Sequence, residues 1–375
     1  MPLITGMTGL SYKIQAKIDK MASKTTDLKN LTQDKLISFV ESLGQPAFRG
    51  RQILAWIYKP GIRDFDQMTD LAKEFRALLP QHAHMSRFDT YITEQSRDGT
   101  VKFAFTLADG HIIESVFIPE EERNTLCVSS QVGCAMGCRF CLTGSMGFVR
   151  NLNVAEIVNQ VCAVRDYALA RDLGRLTNLV FMGMGEPLAN LENVLDALSL
   201  LTEQRGLDFS SRRITVSTCG LVPQMIRLGE STSVNLAISL HATDDVTRSS
   251  IMPVNDRYPI AELLAGCKKF PHKKRQRIMF EYTLLEAIND SDNDALRLAD
   301  LLREIPCKIN LLAMNPTSTS TYRSPARDRV LAFQKILREQ GYTVFIRQSR
   351  GADISAACGQ LAGKKRGYDV KKKGE

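Results

Sequence analysis

Three cysteines in the stretch Cys134-Ala135-Met136-Gly137-Cys138-Arg139-Phe140-Cys141 stand at i, i+4 and i+7. The stretch is too interrupted by glycine to hold a rigid helix, so it reads as a loop able to wrap one corner of an inorganic cluster. Thiolates are the ligands that iron–sulfur clusters take. Three protein donors for a four-iron cluster leave one iron open, and an open coordination position marks a reactive centre, by the logic that separates catalytic from structural zinc. Two plainer readings compete. Zinc sites usually pair Cys-x-x-Cys with a second pair at a distance, and no second pair exists here. A four-thiolate electron-transfer cluster would need Cys127, which lies in Thr125-Leu126-Cys127-Val128-Ser129, a stretch that reads as a strand.

Such a loop needs a scaffold to position it. At 375 residues and 44% hydrophobic content the chain can bury a large core, as one big domain with a smaller one. Lys+Arg 49 against Asp+Glu 41 gives +8, a balance compatible with a polyanionic partner. Nine cysteines without an even disulfide framework, behind a start that lacks the basic-then-apolar form of a secretory signal, point to the reducing cytoplasm. No apolar run approaches the ~20 residues that span a bilayer, which excludes a helical membrane span.

Residues 1–25 show no clear period and read as a variable extension, with Met21 an alternative start. From Thr32, Leu36, Phe39, Val40 and Leu43 recur at helical spacing until Gly44. A second helix follows Pro46 over Phe48 to Tyr58, and a third covers Leu71 to Leu79 before Pro80. This 26–90 domain reads from its residues as a small helical bundle whose Arg49 and Arg51 face outward, a plainer reading than a nucleic-acid module. Residues 91–118 alternate with period two around Asp98-Gly99 and Asp109-Gly110, the signature of a short β-meander. From 119 to 350 strands alternate with helices. The strands are Leu126–Ser130, Asn178–Met182, Arg213–Ser217, Val234–Leu240, Arg277–Leu284 and Lys308–Met314, with Val344–Gln348 a candidate seventh. Serial β–α units of this length predict a parallel sheet with right-handed crossovers, doubly wound or barrel. Ligands then sit at the carboxyl ends of the strands.

Those ends carry polar chemistry. Met182-Gly183-Met184-Gly185-Glu186-Pro187 offers close backbone approach and a carboxylate for an ammonium group, although most glycine-rich turns are only tight turns. Ser217-Thr218-Cys219-Gly220, Ser239-Leu240-His241-Ala242 and Asn315-Pro316 close other strands. A lone His241 is more often structural, and a lone Glu114 on a strand is usually solvated. Cys162, Cys219, Cys267 and Cys307 read as buried apolar thiols. Cys358 follows Arg350-Gly351-Ala352-Asp353 and precedes Gly359, a segment too polar and flexible for a core strand, which suits a mobile nucleophile.

The cysteine loop, with Phe140 as its aromatic, resembles the radical S-adenosylmethionine (SAM) superfamily, Cys-x-x-x-Cys-x-aromatic-Cys. Several linked stretches together are similar to one family within it, the bacterial dual-specificity RNA adenine-C2 methyltransferases. These are Gly44-Gln45-Pro46-Ala47-Phe48-Arg49, Gly183-Met184-Gly185-Glu186-Pro187-Leu188, Ile238-Ser239-Leu240-His241-Ala242 and Ala356-Ala357-Cys358-Gly359-Gln360-Leu361. The resemblance runs from about Leu28 to Gly363. It implies an α/β fold, a partial (β/α)6 radical-SAM barrel, with the 26–90 domain an RNA-binding accessory and 351–375 a catalytic-cysteine segment with a basic tail. By resemblance Cys134, Cys138 and Cys141 ligate a 4Fe-4S cluster, and Gly185, Glu186, Ser217, Ser239, Leu240, His241 and Asn315 line the SAM site.

The resemblance also implies a relay that uses two SAM molecules per turnover. Carbon 2 of adenine is electron-poor and the SAM methyl electrophilic, so direct displacement is mismatched. One SAM methylates Cys358. A second yields a 5′-deoxyadenosyl radical that takes hydrogen from the S-methyl group, and the resulting methylene radical adds to the base. Cys127 resolves the adduct and leaves a transient Cys127–Cys358 disulfide, ordinary exchange chemistry at sulfur; Glu114 matches the proton acceptor. The implied partners are 23S ribosomal RNA, transfer RNA and an electron donor such as flavodoxin or ferredoxin, with no membrane and a monomeric protein. Basic clusters fit RNA: Lys268, Lys269, Lys273, Lys274, Arg275 and Arg277 around His272, and Lys364, Lys365, Arg366, Lys371, Lys372 and Lys373 in the tail. The rivals are a carbon-8 methyltransferase of the same family and a non-catalytic iron–sulfur RNA-binding redox sensor.

Overall fold

The computed structural model describes residues 25–271, 273, 276–315 and 320–362. The extension before 25, Met21 included, lies outside the described residues. So do His272, Lys274, Arg275, Pro316, Gly363 and the lysine tail. The chain divides into two units, one ending at Arg87 and including Glu203–Asp208, the other holding the remainder from Phe88.

In the first unit α1 (Gln33–Ser42), α2 (Phe48–Ile57) and α3 (Lys73–His82) enclose Leu36, Val40, Ile53, Leu54, Phe75 and Leu79. Arg49 is not free in solvent: it donates to Gln52 Oε1 (2.8 Å) and to the Asp70 carbonyl (3.1 Å). The third helix does not stop before Pro80 as the sequence predicts. Proline removes only one N–H this close to the end, and the Ala83 N–H closes the last turn on the Leu79 carbonyl.

The second unit is built on one sheet of ten strands, paired in chain order. These are β1 (Tyr91–Gln95), β2 (Val101–Thr106), β3 (Ile112–Glu120), β4 (Arg123–Cys127) and β5 (Asn178–Phe181). Then come β6 (Ile214–Thr218), β7 (Asn235–Ser239), β8 (Ile278–Leu284), β9 (Cys307–Ala313) and β10 (Val344–Arg347). Strands β1 to β4 run antiparallel, and β4 to β10 all run parallel. The crossovers between parallel strands are helical: α4 (Val154–Ala170), α5 (Leu191–Thr202), α6 (Val222–Ser231), α7 (Asp245–Ile251) with α8 (Ile260–Lys269), α9 (Asp292–Leu302) and α10 (Arg327–Glu339). This is the partial (β/α)6 barrel with a seventh strand, and the meander extends its sheet.

The first parallel strand begins earlier than the sequence predicts. Pairing of Glu120 with Arg123 across a tight turn starts β4, and Cys127 is its last residue, opposite Val180. Ser129 and Ser130 leave the ladder to hold the turn after β5, where Met184 N donates to Ser129 Oγ (2.8 Å) and Ser130 N to the Met184 carbonyl (2.9 Å). Alternation sets the faces. On β8, Phe280 and Tyr282 pack outward, with Tyr282 5.4 Å from the Phe333 ring of α10, while Met279, Glu281 and Thr283 line the inner side. No described helix is long and apolar enough to cross a membrane.

Candidate active site

The carboxyl ends of the parallel strands and the cysteine loop close around one cavity, whose wall takes Cys134, Cys138 and Cys141 from the loop. Cys134 N donates to the Gly147 carbonyl (2.9 Å) and Arg139 N to the Ile251 carbonyl (3.0 Å), which fix the loop at both ends. Between them Met136 and Phe140 pack on the apolar group of Met252, Val254 and Tyr258. The Phe140 ring stands edge-on to His241 at 5.1 Å.

Burial pushes the Cys134 thiol up to about 12 and raises Cys138 and Cys141 as well; Cys141 next to Cys134 and Cys138 adds to the effect. Crowded, dry thiols of this kind ionise only against a group of high positive charge, and a metal deprotonates its thiol ligands outright. The three share a cavity wall without converging on a single-ion position. Three thiols on one cavity wall are the donors that an iron–sulfur group takes.

Glu186 lies on the same wall. Gly185 before it has φ +97°, and a Cβ there would sit 2.5 Å from Gln131 Cβ, so only glycine allows the turn. The Glu186 oxygens accept from Leu188 N (3.1 Å) and Cys219 N (2.9 Å). Burial raises its pKa and those N–H groups partly offset it, and among the described residues no side-chain cation pairs with it. An ammonium group arriving from the cavity meets that charge. Glu186→Gln is expected to weaken SAM binding about tenfold or more while the cluster loads normally, because charge-assisted hydrogen bonds are worth roughly 1.5–3 kcal/mol. Calorimetry on the reconstituted protein measures it; an unchanged affinity would reduce the turn to a turn.

Ser217, Ser239, His241 and Asn315 also line the cavity; Leu240 does not, being fully buried with its carbonyl taken by Arg248. His241 adopts φ +59° and its Nδ1 accepts from Thr283 N (2.9 Å), which assigns the ring proton to Nε2. Burial, with Arg248 adding, lowers its pKa to about 3. His241 is thus a neutral hydrogen-bonding group and no acid catalyst at neutral pH.

Arg248, which no motif or periodicity marks, has 0% exposure. Its guanidinium donates to the carbonyls of Leu240 (3.1 Å), Cys219 (2.8 Å), Ser239 (3.3 Å) and Tyr258 (3.2 Å), tying the ends of β6 and β7 together. Arg248→Met is expected to cost about 3 kcal/mol or more, since it strands buried carbonyls; urea unfolding reads it, and a loss below about 1 kcal/mol would mean water replaces the clamp.

Cys358 reaches the same cavity and is exposed. Its segment is stapled rather than loose, contrary to the sequence expectation. Asp98 Oδ2 accepts from Gly351 N (3.0 Å), Lys102 Nζ donates to the Ile354 carbonyl (2.7 Å) and Leu142 N to the Gly359 carbonyl (2.8 Å). Asn315 Nδ2 holds the Cys358 carbonyl itself (3.1 Å). Polar residues here bind main chain instead of water, so a polar composition misreads as flexibility. Glu114 belongs to this set: it is buried, 3.8 Å from Lys102 Nζ, and accepts from Ala362 N (2.8 Å), outside the cavity wall. Cys127 is buried just beneath; burial pushes its thiol up to about 12, with neighbouring Cys358 adding and Arg347 opposing. Both cysteines are free thiols in this structure. Cys219, expected in the core, is buried but lines the cavity as well.

Residues 26–85 match the family described as Ribosomal RNA large subunit methyltransferase N-terminal domain, and residues 128–299 match the Radical SAM superfamily. The chain is 63% identical over 343 residues to the dual-specificity RNA methyltransferase RlmN of Desulfotalea psychrophila, covering 90% of this chain and 94% of that one. The Geobacter sulfurreducens protein of the same name is 54% identical over 338 residues, with 90% and 92% covered. A crystal structure of a radical SAM methyltransferase from Sphaerobacter thermophilus superposes with a TM-score of 0.84 at 44% identity, covering 90% of this chain and all of that one.

Proposed function

The chain belongs to the RlmN family of dual-specificity RNA methyltransferases, and we propose that it methylates carbon 2 of an adenine in 23S ribosomal RNA and of the adenine 3′ of the anticodon, position 37, in transfer RNA. The observation that carries this reading is one cavity shared by the three loop thiols, the Glu186 turn and Cys358. A redox sensor that only bound RNA would have no use for the Glu186 turn on the same wall as the loop thiols.

Cys134, Cys138 and Cys141 would hold the 4Fe-4S cluster; Glu186, with Gly185, Ser217, Ser239, His241 and Asn315, would hold SAM. When bound, the pair supplies a 5′-deoxyadenosyl radical. Cys358 accepts a methyl group on sulfur, gives up one hydrogen atom from it, and bonds through that carbon to the base. The radical adduct then gives up one electron, equal to the one spent in cleaving SAM, and Glu114 takes the proton lost from carbon 2. Cys127 then attacks the Cys358 sulfur, the released methylene carbon takes a proton to complete the methyl group, and a disulfide is left for a reductant to reopen. Its raised pKa means that Cys127 waits as a thiol and loses its proton in the attack. The 26–90 helical domain serves as an RNA-binding accessory. The protein works as a cytoplasmic monomer served by a donor of the flavodoxin or ferredoxin kind.

The test is stoichiometric. Anaerobic reduced protein with SAM and an RNA fragment should form one S-adenosylhomocysteine and one 5′-deoxyadenosine for each methyl group delivered. Binding of RNA with no 5′-deoxyadenosine would favour the sensor reading instead.

A further inference from the structure

Glu281 is a buried acid that the relay does not use. It sits mid-strand on β8, is 5% exposed, and faces the inner side of the barrel. Asn310 Nδ2 donates to its Oε1 (2.9 Å), while its Oε2 is buried without a hydrogen-bond partner. Among the described residues no ion pair reaches it; the Arg347 guanidinium nearby is turned to Met182 Sδ (3.4 Å). Burial raises the pKa of this carboxyl, with Arg347 and Asn310 opposing. A carboxylate oxygen stranded in this way awaits a donor.

Two cavities meet at this residue. One is the cavity of the cysteine loop; the other runs along the inner face of the sheet toward the amino ends of its strands, and Glu281, Arg347 and Cys358 line both. The second cavity is bordered by Arg212, Arg277 and Lys308, none of them in an ion pair among the described residues. Those cations invite a polyanion, and they lie away from the Glu186 turn. Such a partner, an RNA, could bring a nucleotide to Cys358 from that side.

We propose that Glu281 reads the target base, its free Oε2 accepting a hydrogen bond from the 6-amino group of adenine while Cys358 faces carbon 2. This rests on the reading of the chain as an adenine methyltransferase. A carboxylate accepts only, so it welcomes an amino edge and repels the carbonyl edge of guanine or hypoxanthine. Enzymes that act on a base taken out of its stack read it by hydrogen bonds to this edge.

The experiment compares RNA stem-loops carrying adenine or purine, which lacks the 6-amino group, at the target position. Single-turnover methyl transfer is measured for the parent, Glu281→Gln and Glu281→Met. Methylation of Cys358 from SAM without RNA serves as the control. The parent should prefer adenine by about tenfold to a hundredfold. Glu281→Met should load Cys358 normally yet treat both RNAs alike, at the slow purine rate. Glu281→Gln, which keeps an acceptor, should retain part of the preference. A parent that methylates both RNAs equally overturns the proposal without any variant. So does a Glu281→Met protein whose preference is intact, or one that loses Cys358 loading and thereby assigns the acid to SAM. A parent that loads Cys358 but methylates no adenine would instead remove the functional reading beneath it.

Discussion

Cys358→Ala is expected to take no methyl group from SAM and to form no crosslink to RNA, whereas Cys127→Ala should accumulate a covalent protein–RNA adduct through Cys358. The two thiols differ in placement: Cys358 is exposed on the cavity wall, and Cys127 is buried at the end of β4. Without Cys127 the carrier still loads and still bonds to the base, but nothing attacks the Cys358 sulfur. The adduct is read as a nuclease-sensitive shift on a denaturing gel. Two merely packed thiols predict something else: a modest loss of stability in each variant, on the order of 1 kcal/mol, and no adduct. Normal turnover by Cys127→Ala would remove it from the relay.

Replacing any one of Cys134, Cys138 or Cys141 by Ala should abolish methylation and the broad visible absorption of the cluster, while the fold survives. The loop is held mainly by main-chain bonds at Cys134, Arg139 and Leu142 and by the packing of Met136 and Phe140, and none of these needs a thiol. Anaerobic reconstitution with iron and sulfide, followed by iron analysis and thermal melting, checks both parts. A variant with full iron and activity would contradict the ligand assignment.

The order of strands and helices was legible because each β–α unit carries its own period, and the resemblance of the cysteine loop and strand-end motifs located the cavity. What stayed hidden was long-range. Arg248 lies in a polar stretch that no periodicity marks, yet it clamps two strand ends. Glu281 is a single charge in the apolar run Ile278-Met279-Phe280-Glu281-Tyr282-Thr283-Leu284, a signal that could have been read as an inward-facing polar group. The staples that hold the Cys358 segment join residues some 250 positions apart, as in Asp98 with Gly351, and composition cannot show them. Pro80 misled because the rule that proline ends a helix has least force in the last turn.

The site is proposed to deliver a methyl group to carbon 2 of an adenine in RNA. Mass spectrometry of digested ribosomal and transfer RNA, after anaerobic turnover by the reconstituted parent protein, tests it most directly. The expected product is 2-methyladenosine in both RNAs, matched to an isomer standard. Finding 8-methyladenosine, or no methylated adenosine from a protein that has loaded Cys358, would contradict it.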